Sequence, residues 1–142
     1  MSSKSNVGGI FSVDMWLAKD DGRGNPPTPL DSVRIPIISS SSSYQEVESV
    51  SSGGVCKVEH TLTIVCEENF WGDKRLCGAD VVGCVARVEL LGRGKILLGW
   101  SPNLGYDQPL RLTKFTTQST GAANERLYRT WVFKSYSTSS LV

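Results

Sequence analysis

An all-β fold, a single-domain antiparallel β-sandwich or barrel of about seven strands with at most short helical turns, follows from three observations. Residues 55–67 alternate. Cys56, Val58, His60, Leu62, Ile64 and Cys66 fall on one side, and Lys57, Glu59, Thr61, Thr63 and Glu67 on the other. That is the period of a strand with one wet face. Clusters of Gly, Pro, Asn and Ser cut the whole chain into short segments, and none of these repeats apolar residues at helical spacing. With 142 residues, 39% of them hydrophobic, the chain has the size of one compact domain.

The polar start, residues 1–8, is expected to be a flexible end. A first strand sets Phe11, Val13, Met15 and Leu17 against Ser12, Asp14 and Lys19, with Trp16 interrupting the polar side. It stops in the segment from Asp20 to Pro29, whose glycines and prolines supply turn geometry and few ladder donors. Val33, Ile35 and Ile37 form a short second strand, which Pro36 confines to an edge or a bulge. Residues 39–54 read as a Ser/Gly-rich loop, with 44–50 as one of two helical turns.

After the strand at 55–67, residues 68–75 make a polar connection that carries Phe70 and Trp71. Val82, Cys84, Ala86, Val88 and Leu90 restart the alternation, Gly92-Arg93-Gly94 turns the chain, and Lys95 to Trp100 returns. Residues 81–100 are therefore a hairpin. A weaker strand covers Leu110 to Thr116, and a loop covers 118–124, with the second helical turn at 121–127. A final strand from Leu127 to Tyr136 has bulk on both faces, and 137–142 form a second flexible end.

The residues that usually carry chemistry read as structural. At about 3.3 Å per residue, Cys56 and Cys66 stand about 33 Å apart and Cys56 and His60 about 13 Å apart, too far to share a zinc ion or a disulfide. The spacings among Cys56, Cys66, Cys77 and Cys84 match no Cys-x2-Cys or Cys-x4-Cys knuckle. A cross-strand site built from Cys66, Cys77 and Cys84 stays open. His60, the only histidine, lies between Val58 and Leu62 on the apolar side, which points to a satisfied buried imidazole. A Cys84–His60 couple is the one nucleophilic arrangement the sequence offers. Adjacent acids at Asp20-Asp21 and Glu67-Glu68 point to opposite sides of an extended chain. No cofactor, metal or catalytic residue is expected, and the chain reads as no enzyme.

Charge is uneven although the net is only +1. Residues 1–70 hold five Lys/Arg against nine Asp/Glu, and residues 71–142 hold ten against five. Lys74, Arg75, Arg93, Lys95, Arg111, Lys114, Arg126 and Arg129 fall at turns or on polar strand faces, where they could meet RNA phosphates or anionic lipid headgroups. Phe70 and Trp71 beside Lys74 and Arg75 are the aromatic loop contact of that surface, against the alternative of a packed loop tip. No apolar run is long enough to span a bilayer, no secretory core follows Met1, and no asparagine opens an Asn-x-Ser/Thr triplet. A cytoplasmic or nuclear, non-secreted protein without a transmembrane segment is expected.

In its length, single β-rich domain, polar start, and strand followed by a Pro-containing loop and the segment Val33-Arg34-Ile35-Pro36-Ile37, the chain resembles the small matrix proteins of negative-strand RNA viruses, of the bornavirus type. The likeness is architectural. It implies a non-enzymatic shell protein of the virion that forms homo-oligomers, touches an anionic membrane and binds RNA or ribonucleoprotein. The alternatives are a jelly-roll capsid subunit and a β-sandwich recognition module for a peptide or glycan.

Overall fold

The computed structural model describes residues 3–18, 32–38, 41–50, 53–54, 56–76, 79–92, 94–100, 109–119 and 127–137. Its strands are β1 (Ser3–Leu17), β2 (Val33–Arg34), β3 (Ser43–Val50), β4 (Cys56–Cys66), β5 (Cys84–Leu90), β6 (Gly94–Leu98), β7 (Arg111–Ser119) and β8 (Leu127–Ser137). The order across the structure is β6-β5-β1-β3-β4-β8-β7, with β2 paired separately to β1. All pairings are antiparallel.

β1 belongs to both sheets. Residues 3–9 pair with β3, and residues from Ile10 onward pair with β5. The switch falls at a bulge between Ile10 and Ser12, which turns Phe11 outward and leaves Ile10, Val13 and Met15 in the core. One sheet is then β1-β3-β4-β8-β7 and the other β2-β1-β5-β6. Between them lie Tyr44, Leu62, Ile64, Trp131 and Phe133 from the first and Val13, Met15, Ala86, Val88 and Leu98 from the second. The far side of the second sheet carries a smaller cluster of Trp16, Ala18 and Val85 with Leu97 and Trp100, so the tryptophan that broke the polar side of β1 is itself covered.

The all-β sandwich with short helical turns is as the sequence predicts. So are the strand found at Cys56–Cys66, the hairpin found at Cys84–Leu90 and Gly94–Leu98, and the final strand, although Val82, read as the start of the hairpin, lies in the helical turn Ala79–Val82 and is exposed. The hairpin turns through Gly92 and Gly94, both at positive φ. The second strand shrinks to Val33–Arg34 beside Met15 and Asp14, held by an Arg34 Nε donation to Asp14 Oδ1 at 2.6 Å. Beyond it, Ile35 N donates to Val13 O and Ile38 N to Val65 O.

Three expectations need correction. Residues 39–54 are not one loop, because 43–50 form β3, hydrogen-bonded to β1 on one edge and β4 on the other. Two ladders hold a serine-rich segment extended, although its local propensity favours turns. The helical turn expected at 44–50 is that same strand. Nor are residues 3–8 a free end, since they form the β1 ladder with β3. Helical turns occur instead at Phe70–Gly72, Lys74–Leu76 and α1 (Ala79–Val82). Of the turn read at 121–127 and the flexible end read at 137–142, Leu127 and Ser137 belong instead to β8, and the rest lies outside the described residues, as do residues 19–31.

The second sheet meets β7 at one corner. Gly99 ends the run of β6, and Leu110 takes its place beside Cys84, with Cys84 N donating to Leu110 O and Leu110 N to Cys84 O, both at 2.9 Å. Gly99 sits at φ +89°, and a Cβ there would lie 2.6 Å from Cys84 O and 2.9 Å from Leu110 N. Replacing Gly99 by Ala should destabilise the protein by roughly 2 kcal/mol or more. Gly54→Ala has a similar φ of +80° but nothing within 4 Å, and should cost about 1 kcal/mol. Urea unfolding of both variants measures the difference, and equal losses would deny that the corner is tight.

Candidate functional site

Two features stand out, one inside the first sheet and one on its outer face. Inside, the register places Glu46 of β3 beside His60 of β4, and His60 beside Ser135 of β8. All three are buried. His60 Nδ1 lies 2.6 Å from Tyr44 Oη and 3.3 Å from Glu46 Oε2, and His60 Nε2 lies 2.6 Å from Ser137 Oγ. Tyr44 also hydrogen-bonds Glu46. A tyrosine proton given to the carboxylate leaves the phenol oxygen to accept from Nδ1–H, and Nε2 then accepts from the Ser137 hydroxyl.

Burial sets the titration of this cluster. It lowers the His60 pKa from its ordinary 6.5, with the Glu46 charge opposing. It raises that of Tyr44, with the Glu46 charge and hydrogen bond acting in the same direction. Neutral His60 is the form that fits, as expected for a satisfied histidine on the apolar side.

The thiols are equally enclosed. Cys66 and Cys84 are free and buried, and burial pushes both up to about 12. Cys84 Sγ donates to Leu110 O at 3.4 Å, so its partner is a carbonyl and not His60. Among the described residues no three His, Cys, Asp or Glu side chains converge as metal ligands. Cys77 lies outside the described residues.

The outer face follows from the same alternation. Lys57, Glu59, Thr61, Thr63 and Val65 of β4 stand beside Tyr136, Lys134, Val132 and Thr130 of β8, and Arg111 and Lys114 of β7 stand beside Lys134 and Val132. None of these residues is buried. Lys134 Nζ pairs with Glu59 Oε1 at 3.0 Å, and that carboxylate holds the ammonium above its usual range. Lys57 Nζ sits 4.5 Å from the Tyr136 ring centroid, a cation–π contact. Among the described strand residues, four cations and Glu59 thus share an unburied sheet face. Among the described strands β7 lies at the end of the order.

The residues expected to form one basic surface are divided. Arg111 and Lys114 are brought together, joined by Lys57 and Lys134, which the sequence reading did not single out as contacts. Lys95 is exposed on β6, at the opposite end of the strand order. Lys74 is exposed in the turn Lys74–Leu76, which also contains Arg75. Arg129 stands opposite inward-facing Cys66, and its Nη1 donates to Glu67 O at 2.5 Å. Arg93 and Arg126 lie outside the described residues.

The aromatic contact is corrected. Phe70 is 6% exposed, with its ring centroid 4.4 Å from that of Trp131, and Trp71 lies 5.3 Å from Phe133. They form the packed loop tip, because large rings next to an unfilled core edge gain more by burial than by exposure.

No family model matches the chain, and no curated protein or solved structure is significantly similar to it.

Two measurements check the enclosure. The folded protein at pH 8 should react with iodoacetamide at Cys66 and Cys84 on the order of a hundredfold more slowly than the unfolded chain, read by peptide mass spectrometry. Stability should also fall on both sides of neutrality. The unfolded chain takes up the His60 proton first as pH drops below 6.5 and loses its thiol protons first as pH rises above 9.0. Thermal melts from pH 5 to 10 give the profile, and a flat one would refute the assignment.

Proposed function

We propose that this protein is a non-enzymatic, self-assembling scaffold of the viral-matrix type that binds RNA on the outer face of the β3-β4-β8-β7 sheet. One observation carries the reading: Lys57, Arg111, Lys114 and Lys134 share one unburied sheet face with Glu59, an excess of cations over acid among the described strand residues. A flat row of cations matches a phosphate backbone, and Tyr136 adds a ring on which a base can stack. Among the described residues β6 and β7 stand at the two ends of the strand order, where a second copy could add a strand. Buried thiols and a buried, hydrogen-bonded histidine support a role without nucleophilic chemistry. Among the described residues no helix is long and apolar enough to cross a membrane. Such a scaffold would act in the cytoplasm or nucleus and in the virion.

Anisotropy titration of a labelled oligouridylate against NaCl tests this reading. Four phosphate contacts predict a log K against log salt slope of about −2.8. The triple variant Arg111→Gln, Lys114→Gln, Lys134→Gln should reduce the slope by about 2. Salt-indifferent binding, or an unchanged triple variant, removes the proposal. Binding to phosphatidylserine vesicles without RNA binding assigns the face to lipid instead. Light scattering with and without RNA tests assembly, and a strict monomer in both denies it.

A further inference from the structure

The buried cluster and the outer face are built from alternate residues of the same strands. On β8, Ser135 and Ser137 point to His60 and the core, while Lys134 and Tyr136 point out to Glu59 and Lys57. On β4, His60 lies between Glu59 and Thr61. Whatever moves Ser137 away from His60 therefore moves Tyr136 away from Lys57.

We propose that Tyr44, Glu46, His60 and Ser137 form a proton-operated latch that holds the end of β8 on β4 near neutral pH and releases it in acid, dismantling the adjoining part of the outer face. The latch depends on which groups donate. With the Tyr44 hydroxyl given to Glu46, neutral His60 has its one N–H on the Nδ1 side, 2.6 Å from Tyr44 Oη, and accepts from Ser137 at Nε2. A second proton goes to Nε2, so Ser137 must turn its hydroxyl from donor to acceptor while the ring becomes a cation in a buried site. Opening lets water solvate that cation, and so acid favours the open form.

The groups that face the cluster come from β3, β8 and β1. β3 contributes Tyr44 and Glu46 and, one position further along its inner face, Glu48; β8 contributes the uncharged hydroxyls of Ser135 and Ser137. On β1, Asn6 stands in register with Glu46 and Lys4 with Glu48. The core cluster on that side is otherwise apolar. Glu46 is the charge acting on His60, and burial outweighs it.

The latch sits at a strand end, where opening needs only local separation. Among the described residues, Val58 pairs with Ser137 at the last rung of the β4–β8 ladder. The end of a ladder opens at lower free energy than its centre. Linkage to an ordinary histidine pKa of 6.5 allows the open fraction to rise by at most about 30-fold between pH 7.5 and pH 5.0.

Hydrogen–deuterium exchange of the full chain, corrected for intrinsic rates, tests this inference. The peptide ending at Ser137 should show a rise in opening between pH 7.5 and pH 5.0, up to about 30-fold, while the β5–β6 hairpin stays unchanged. His60→Gln should abolish the pH dependence. Should that variant fail to fold, Ser137→Ala supplies the second arm, with fast exchange at pH 7.5 and little further change in acid. An unchanged wild-type peptide, or the same acid response in either variant, overturns the latch. The coupling to the outer face rests on the RNA reading and is measured separately, by oligouridylate affinity at both pH values and fixed ionic strength. Weaker RNA binding in acid in wild type but not in His60→Gln supports the coupling, and equal affinity at both pH values overturns it. Acid opening without RNA binding at either pH refutes the RNA reading and leaves the latch standing.

Discussion

One strand has to serve two sheets, and every other placement depends on how β1 does so. Its first half completes the sheet with β3, and its second half completes the sheet with β5 and β2. A continuous pleat cannot point the same set of side chains into the core of both sheets while also turning between them. The bulge at Phe11 resolves this by adding one residue, so that Ile10 and Val13 both face inward. The remaining strands follow by pairing: β3 positions β4, β4 positions β8, and β8 positions β7.

That chain of pairings explains why a polar cluster is tolerated in the core. Glu46 and His60 are buried at neighbouring register positions, where an unpaired charge would be strongly destabilising. Tyr44, Glu46, His60 and Ser137 meet one another's hydrogen-bonding needs across three strands. The network can therefore specify register as well as occupy space, since a one-residue slip of β3 would exchange Glu46 for Gln45 or Val47 opposite His60. The same ladders fix the outer face. Lys134 and Tyr136 are held where they are because Phe133 and Ser135 are held inside.

Much of this fold was legible because alternation is local. Val58, Leu62, Ile64, Cys84, Ala86 and Val88 could be assigned to the core from neighbours two positions away, and all are buried. β3 was not legible: Glu46 occupies an inward position normally filled by an apolar residue, and the surrounding serines imitate a loop. The start of β1 was hidden for a related reason, since residues 3–9 gain their extended form from the β3 ladder more than from their own preference. Phe70 and Trp71 resembled a contact because nothing in the sequence reveals that Trp131 and Phe133 lie beneath them.

By itself the sequence determined the strand period, the turn at Gly92–Gly94 and the inward side of β4 and β5, all properties of residues a few positions apart. It also determined that His60 and the thiols of Cys66 and Cys84 belong to an apolar face. The tertiary structure decided which elements are neighbours, and so it alone joined Glu46 to His60 and Arg111 to Lys134. Those pairs are separated by 14 and 23 residues of chain, and their proximity comes from strand register. Register is set by the ladder as a whole, so no local segment encodes it.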